Sequence, residues 1–252
     1  MKYMTKEWFD ASQKSGFYLT LKASKKAETF SEEFYQELYK REEKKYLKMA
    51  KDFFETDIET EFDEFIEEDF CDDDEEFDPE KEKENFKFYL RNSLKNYKSL
   101  FPEDVFKKVA DTRVLALGVV SPEVKADITK YCKDNEKMVK RAMKECSRQF
   151  QKEFKSGAPD FARMDLHDCQ VTSFKKKGKD YILSVDNSDG FTDITEVRFV
   201  NCKIVKQDAP LHGAWYLYDE IYKVDDHYEI HALLMRKELI DLIIEADDVV
   251  LK

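Results

Sequence analysis

Residues 122–155 have the sequence PEVKADITKYCKDNEKMVKRAMKECSRQFQKEFK, and this stretch decides the fold of the first part of the chain. At about 100° per residue, its apolar and basic side chains fall on opposite sides of a helix. The apolar side comprises Val124, Ile128, Tyr131, Cys132, Val139, Ala142, Met143, Cys146, Phe150 and Phe154. The basic side comprises Lys130, Lys133, Lys137, Lys140, Arg141, Lys144, Arg148, Lys152 and Lys155. The pattern predicts a long amphipathic helix whose apolar side faces a core.

The sequence before this stretch also has helical spacing, from residue 5 onward. Several positions place a side-chain oxygen just before acidic residues or a proline, as helix N-caps do: Thr5, Ser31, Asp78 and Ser121. They predict helices that start near residues 6, 32, 79 and 122. A capping box at residues 56–59 predicts a further helix with an apolar stripe from Ile58 to Phe70, followed by a solvated loop over residues 71–78.

The hydrophobic period changes to two after Gly157-Ala158-Pro159. Apolar and polar residues alternate around residues 181–185 and 228–234, and the turn-forming run at 187–190 separates two such stretches. In residues 215–222 we expect Trp215, Leu217 and Ile221 to share one face, opposed by Tyr216, Tyr218, Glu220 and Tyr222. The pattern predicts five to seven antiparallel strands, the last near residues 242–245. The predicted class is α+β, with a mostly helical region 1–160 packed against an antiparallel β module 161–252.

The charges are segregated along the chain. Of the 28 residues from 55 to 82, 17 are Asp or Glu and one is Lys, a local net charge of −16. The whole chain carries −12, so the remainder is slightly basic. The acidic stretch lacks the glycine and alternate spacing of a calcium-binding loop. Either the acidic stretch binds a basic partner, or it forms an acidic amphipathic helix whose apolar side packs on the core of this protein.

Composition excludes several classes of site. With only 6 glycines the chain has none of the glycine-rich phosphate motifs or the nucleophile elbow. Its five cysteines are scattered without a C-x-x-C pair, which favours reduced thiols over disulfides or zinc clusters.

No run approaches the ~18 apolar residues of a membrane span, and the N-terminus lacks a signal peptide's apolar run. We therefore expect a cytoplasmic protein without membrane contact, metal or cofactor. The charge of −12 disfavours nucleic acid despite the basic helix side.

Several short motifs carry a resemblance to a known family. They are Met1-Lys2-Tyr3, Thr5-Lys6-Glu7-Trp8, Arg113-Val114-Leu115-Ala116-Leu117-Gly118, Leu166-His167-Asp168-Cys169 and Trp215-x-x-Tyr218-Asp219-Glu220. Across its length the chain resembles a bacterial family of domains of unknown function, number 4085. The resemblance supports the architecture and implies no activity.

The candidate pocket or binding residues are His167, Asp168, Trp215, Tyr218, Glu220 and His231. Adjacent strand residues point to opposite faces, so His167 and Asp168 can pair only at a bulge or before the strand begins. His227 and His231 have the H-x-x-x-H spacing of helical zinc ligands. Their neighbours alternate as in a strand, where four residues span roughly 13 Å, too far for one ion. We assign no catalytic residue.

The leading hypothesis is a non-catalytic protein-interaction module whose acidic stretch, residues 55–82, binds a basic protein. It rests on the charge segregation and on the lack of a recognisable catalytic set. One alternative is a hydrolase-like enzyme with a pocket between the helical and β regions. Its lining residues would be His167, Asp168, Tyr218, Glu220 and His231. A second is an inhibitor or immunity protein for a basic partner such as a toxin. The oligomeric state is not predicted.

Overall fold

The computed structural model describes residues 1–55, 77–155 and 157–252. The helix predicted to begin at residue 56, and nearly all of the acidic loop after it, lie outside the described residues. Helix accounts for 46% and strand for 26% of the described residues, with helices mostly in the N-terminal half and an antiparallel sheet in the C-terminal part. The predicted α+β class is confirmed.

Six α-helices are present among the described residues. They are α1 (Lys6–Gln13), α2 (Glu32–Glu55), α3 (Pro79–Leu100), α4 (Glu103–Phe106), α5 (Thr112–Ala116) and α6 (Pro122–Glu153). None of these helices is both long enough and apolar enough to cross a membrane. Short 3₁₀ turns cover Phe17–Thr20, Lys25–Glu28 and Asp160–Arg163.

The predicted N-caps are confirmed at four helices. The Thr5 hydroxyl accepts a hydrogen bond from the Trp8 amide at 3.2 Å. Ser31 and Ser121 act in the same way on α2 and α6, and Asp78 caps α3 with Pro79 in the first turn. Each oxygen satisfies a backbone N–H group that has no partner within its own helix, which fixes where the helix begins.

The chain divides into two compact units. The helical unit comprises residues 16–133, and the sheet unit comprises residues 1–15 together with 134–252. The division therefore falls within α6, whereas the sequence placed a boundary near residue 160. Helix α1 and the second part of α6 belong with the sheet.

In the helical unit, buried side chains from α5, α6 and the loops around them form the core. Leu115, Ile128 and Cys132 are each 0% exposed. Two short strands, β1 (Lys22–Ala23) and β2 (Val119–Val120), pair in parallel beside this core. Between α2 and α3, the ring of Tyr46 lies 5.2 Å from that of Phe86, which is 3% exposed.

The sheet unit contains one eight-stranded antiparallel sheet, more strands than the sequence predicted. The strands are β3 (Gln170–Lys177), β4 (Asp180–Asp186), β5 (Glu196–Val200), β6 (Lys203–Gln207), β7 (Trp215–Val224), β8 (His227–Met235), β9 (Leu239–Ala246) and β10 (Asp248–Leu251). Their order is β10-β5-β4-β3-β7-β8-β9-β6. Strand β10, after the predicted end of the sheet at residues 242–245, was missed.

The sheet is strongly bent around its core. Strands β9 and β10 lie far apart in the strand order although only Asp247 separates them in sequence. The same holds for β5 and β6, which are separated by two residues. Such short connections require the two edges of the sheet to approach each other. One apolar cluster accordingly includes Leu183, Val197, Leu234 and Ile244, all 0% exposed.

Candidate functional site

Strand β7 positions most of the candidate residues, and a β-bulge decides which side chains share a face. The register with β8 shifts between Tyr216 and Tyr218. A bulge inserts one residue and reverses the alternation beyond it. Tyr216 is consequently 2% exposed and belongs to the same apolar cluster as Ile221. The predicted grouping of Tyr216 with Tyr218, Glu220 and Tyr222 on one face was therefore wrong.

His167 and Asp168 form a direct pair. Nδ1 of His167 lies 2.9 Å from Oδ2 of Asp168. Asp168 has a φ of 65°, in the left-handed region, and lies before β3 begins at Gln170. The sequence analysis allowed the side chains of His167 and Asp168 to pair if they came before the strand, and this is where they lie. The His167 ring also contacts Tyr218 edge-on, with 5.1 Å between ring centroids.

A cavity of about 320 Å³ adjoins this pair. Its lining residues are Met4, Asp165, Leu166, His167, Phe191, Leu217, Tyr218 and Asp219. Burial and the nearby Asp168 carboxylate raise the pKa of Tyr218, which keeps its hydroxyl protonated. The cavity is therefore lined by neutral aromatic surface, an imidazole and acidic groups.

Glu220 holds the N-terminal segment of the chain. Its carboxylate accepts hydrogen bonds from the amides of Lys2 at 2.7 Å, Tyr3 at 2.9 Å and Met4 at 2.5 Å. The Tyr222 hydroxyl donates to the same carboxylate. The Glu220 residue is 3% exposed. These four donors satisfy a buried charge, so Glu220 acts as an anchor for residues 2–4.

His231 is the direct cross-strand partner of Glu220 on β8. Its Nε2 lies 3.0 Å from Oε2 of Glu229, while its buried Nδ1 has no hydrogen-bond partner among the described residues. Burial lowers the pKa of His231, against the opposing effect of Glu229. The ring is therefore neutral at pH 7, and we assign the Nε2 proton to the bond with Glu229.

The candidate residues thus divide into separate groups. His167, Asp168 and Tyr218 meet beside one cavity, and Glu220 meets His231 at the N-terminal segment. Trp215 lies apart at the start of β7, where its backbone pairs with Gln170 and Met235. The role of residues 2–4 was missed because a contact spanning more than 200 positions leaves no local pattern.

A second cavity, of about 290 Å³, shares Met4 and Asp219 with the first. Its lining includes Met4, Met143, Cys146, Ser147, Gln149, Phe150, Ala162, Asp219, Glu220, Ile221 and Tyr222. Burial raises the pKa of the Cys146 thiol to about 11. Because the thiolate is the nucleophilic form, Cys146 is unreactive at neutral pH.

Asp219 is the titratable group that lines both cavities, and it was not among the predicted site residues. Burial raises the pKa of its carboxyl to about 7, although the Tyr216 hydroxyl donates to it at 3.3 Å. Nearby Asp165 and Glu220 raise that pKa further. A carboxyl that titrates near neutrality can exchange protons with a bound molecule.

Asp219→Asn is expected to remove a pH dependence of stability. Aspartate has a pKa near 3.9 in an unfolded chain, whereas that of Asp219 in the folded protein is about 7. The stabilisation from its bound proton is complete below pH 4 and is lost as the pH rises through 7. The measured quantity is the free energy of unfolding of the Asp219→Asn variant minus that of the wild type. Allowing for partial solvent exposure, we expect this difference to rise by about 2 kcal/mol between pH 5 and pH 8.5. Urea unfolding at both pH values measures this gain, and an equal difference at both would contradict the raised pKa.

The comparisons with known proteins place the chain in a family. The family described as protein of unknown function (DUF4085) matches residues 48–238, more than half of the chain. No curated protein and no solved structure matches the chain. The motifs at residues 113–118, 166–169 and 215–220 lie within the matched range. The chain therefore belongs to the DUF4085 family of proteins of unknown function.

Proposed function

We propose that this protein is a non-catalytic interaction module that binds a basic protein through the helical unit and the acidic stretch 55–82. The observation that carries the proposal is an exposed apolar surface on α2 and α3. Met49 is 64% exposed, Phe53 is 67% exposed and Tyr89 is 56% exposed. We call these three residues the α2–α3 patch. Large exposed apolar side chains that lie together are typical of protein-binding surfaces.

The α2–α3 patch continues into a cavity of about 340 Å³ within the helical unit. Met49 and Tyr89 line this cavity together with Tyr46 and Phe86. Met49 and Phe53 are four residues apart and therefore project from the same side of α2. Aromatic and methionine side chains around a concave site are the usual anchors of a partner's apolar residues.

The charge of the neighbouring sequence supports a basic partner. The acidic stretch begins at residue 55, directly after Phe53 and Phe54, and carries a net charge of −16. Such a concentration of one sign accelerates association with an oppositely charged protein and disfavours acidic ones. We infer that the charge selects the partner and that the apolar patch supplies most of the affinity.

The chemistry of the sheet unit also favours binding over catalysis. The thiols of Cys146, Cys169 and Cys202 are free, and burial raises the pKa of each. The Glu220 carboxylate already accepts four hydrogen bonds from other parts of the protein, which leaves it poorly placed to act on a substrate. Free thiols of this kind also support our proposal of a cytoplasmic location.

Site-specific photo-crosslinking tests the proposal. A benzophenone amino acid replaces Phe53, and the control protein carries it at Val205, which is 48% exposed on β6 of the sheet unit. In lysate of the native host we expect a discrete adduct with a basic protein from position 53 and none from position 205. Adducts that are equal at both positions, or absent at 53, would refute the proposed surface.

A second experiment tests the acidic stretch. Replacing the Asp and Glu residues of 57–76 by Asn and Gln should reduce the yield of the position-53 adduct at least tenfold at low salt. The reduction should diminish in 0.5 M salt because screening already weakens the wild-type attraction. An unchanged yield would remove the acidic stretch from the proposal. The identity of the adduct also decides whether the partner is a toxin, as the inhibitor or immunity hypothesis requires.

The second candidate function is a hydrolase-like activity at the cavities of the sheet unit. It is favoured by Asp219, whose pKa near 7 suits a general acid–base, and by the nearby His167–Asp168 pair. The test is hydrolysis of a panel of nitrophenyl esters and phosphates by the wild type and the Asp219→Asn variant. Turnover that is lost in the variant would support the enzyme, and no turnover by the wild type favours the interaction module.

A further inference from the structure

Three potential metal ligands converge where β8 and β9 lie side by side in the sheet unit. They are His227, Glu229 and Glu245, and one ligand atom from each lies within 4.8 Å of the others. His227 and Glu229 are two residues apart on β8, so they project from the same face. Glu245 on β9 pairs directly with Glu229 in the strand register. All three side chains are partly buried.

We propose that His227, Glu229 and Glu245 form a binding site for a divalent transition-metal ion, with Zn²⁺ as the preferred occupant. One imidazole nitrogen and two carboxylate oxygens belong to the ligand types that zinc takes in proteins. In a tetrahedral site with bonds of about 2.1 Å, the ligand atoms lie about 3.4 Å apart. The three ligand atoms lie within 4.8 Å of one another, so side-chain rotation can bring them to that spacing. Three protein ligands leave the fourth position open to water or to another molecule.

The electrostatics of the strand pair favours a cation at this place. Like charges directly opposite each other on neighbouring strands destabilise a sheet, and Glu229 and Glu245 are such a pair. Lys203 offsets this repulsion in part, since its Nζ lies 3.4 Å from Oε2 of Glu245. Its side chain is 73% exposed, so it can move away when a metal ion binds.

A buried histidine supports one of the ligands. His231 is 7% exposed, and its Nε2 lies 3.0 Å from Oε2 of Glu229. Its Nδ1 makes no hydrogen bond among the described residues, so the ring is oriented by the Nε2 bond to Glu229 and by an edge-on contact with Tyr222. Ligating carboxylates are commonly held by such an outer hydrogen bond, which fixes the direction of their free oxygen. The proposed ligand is therefore Glu229, two positions from His227, rather than the second histidine of the H-x-x-x-H spacing.

Metal titration of the full chain tests the site. Untagged protein is stripped with EDTA and titrated with Zn²⁺ against a fluorescent chelator. We expect one equivalent to bind the wild type, and we expect His227→Ala and Glu245→Gln each to weaken that binding at least tenfold. His212→Ala and Glu238→Gln are the matched controls, since both residues are exposed elsewhere in the sheet unit, and their affinities should stay within twofold of wild type. Far-UV circular dichroism confirms that each variant is folded.

A parallel titration with Ca²⁺ separates a built site from an acidic surface that collects any cation. Imidazole is a poor ligand for hard cations, so Ca²⁺ should bind at least a hundredfold more weakly than Zn²⁺. Three results would overturn the proposal: no zinc binding by the wild type, zinc affinity unchanged in His227→Ala, or equal affinities for the two ions.

Discussion

Ile128→Asp is expected to unfold the helical unit. Ile128 is 0% exposed and lies in the core with Leu115 and Val124. The substitution removes a buried aliphatic side chain and places a carboxylate among the apolar side chains of that cluster. The two effects together should cost more than about 5 kcal/mol, which is comparable to the whole stability of a small domain. Loss of helical circular dichroism at 25 °C is the measurement.

Met143→Asp on the same helix is the control, and it should be tolerated. Met143 belongs to the apolar side of α6, which was predicted to face a core. This residue is instead 52% exposed and lines the 290 Å³ cavity. That prediction was wrong because a helix buries only the part of its apolar side that another element covers. We expect a loss of at most about 1 kcal/mol for Met143→Asp. If Ile128→Asp and Met143→Asp had equal thermal midpoints, the burial of Ile128 and the exposure of Met143 would both be contradicted.

Glu220→Gln is expected to release residues 2–4 from the sheet and to destabilise the sheet unit by about 3 kcal/mol. The amide is nearly the same size as the carboxylate, so the change tests charge and hydrogen bonding rather than packing. The carboxylate accepts from three backbone amides and from Tyr222. Hydrogen bonds to a charged acceptor are each stronger than neutral ones. In the variant, the amide NH₂ group must face at least one of these donors.

Tryptophan fluorescence during urea unfolding measures this effect locally. The chain has two tryptophans, Trp8 and Trp215, and both lie in the sheet unit. Trp8 contacts Tyr218 at 5.0 Å, close to the N-terminal segment. Glu238→Gln is the matched control, because Glu238 is exposed in the turn between β8 and β9 and its substitution should change the stability by less than about 0.5 kcal/mol. If both variants unfold at the same urea concentration, Glu220 is not the anchor inferred here.

Much of the fold follows from local sequence patterns. Ser31 and Ser121 mark the starts of α2 and α6 as predicted. The alternation through Leu183 predicted β4. Caps and periodicity act over a few residues, so a single sequence contains all the information that they need.

The candidate site could be predicted only in part. The sequence selected Glu220 and His231, which the sheet brings together as cross-strand partners, and His167 with Asp168, which form a direct pair. It did not select Asp219, because a carboxyl acquires a pKa near 7 only through burial that no local pattern reports. The proposed metal ligands His227, Glu229 and Glu245 were missed for a similar reason, since Glu245 comes from a different strand.

The sequence by itself determined where α2, α3 and α6 begin, that the chain ends in paired strands, and how its charge is distributed. Only the tertiary structure decided which face of β7 carries Tyr218 and Glu220, since that depends on the bulge at Leu217 in the register with β8. It also decided that the carboxylate of Glu220 binds the backbone of residues 2–4. Helix ends are fixed by neighbours a few residues away, whereas strand register and buried polar partners are fixed by segments distant in sequence.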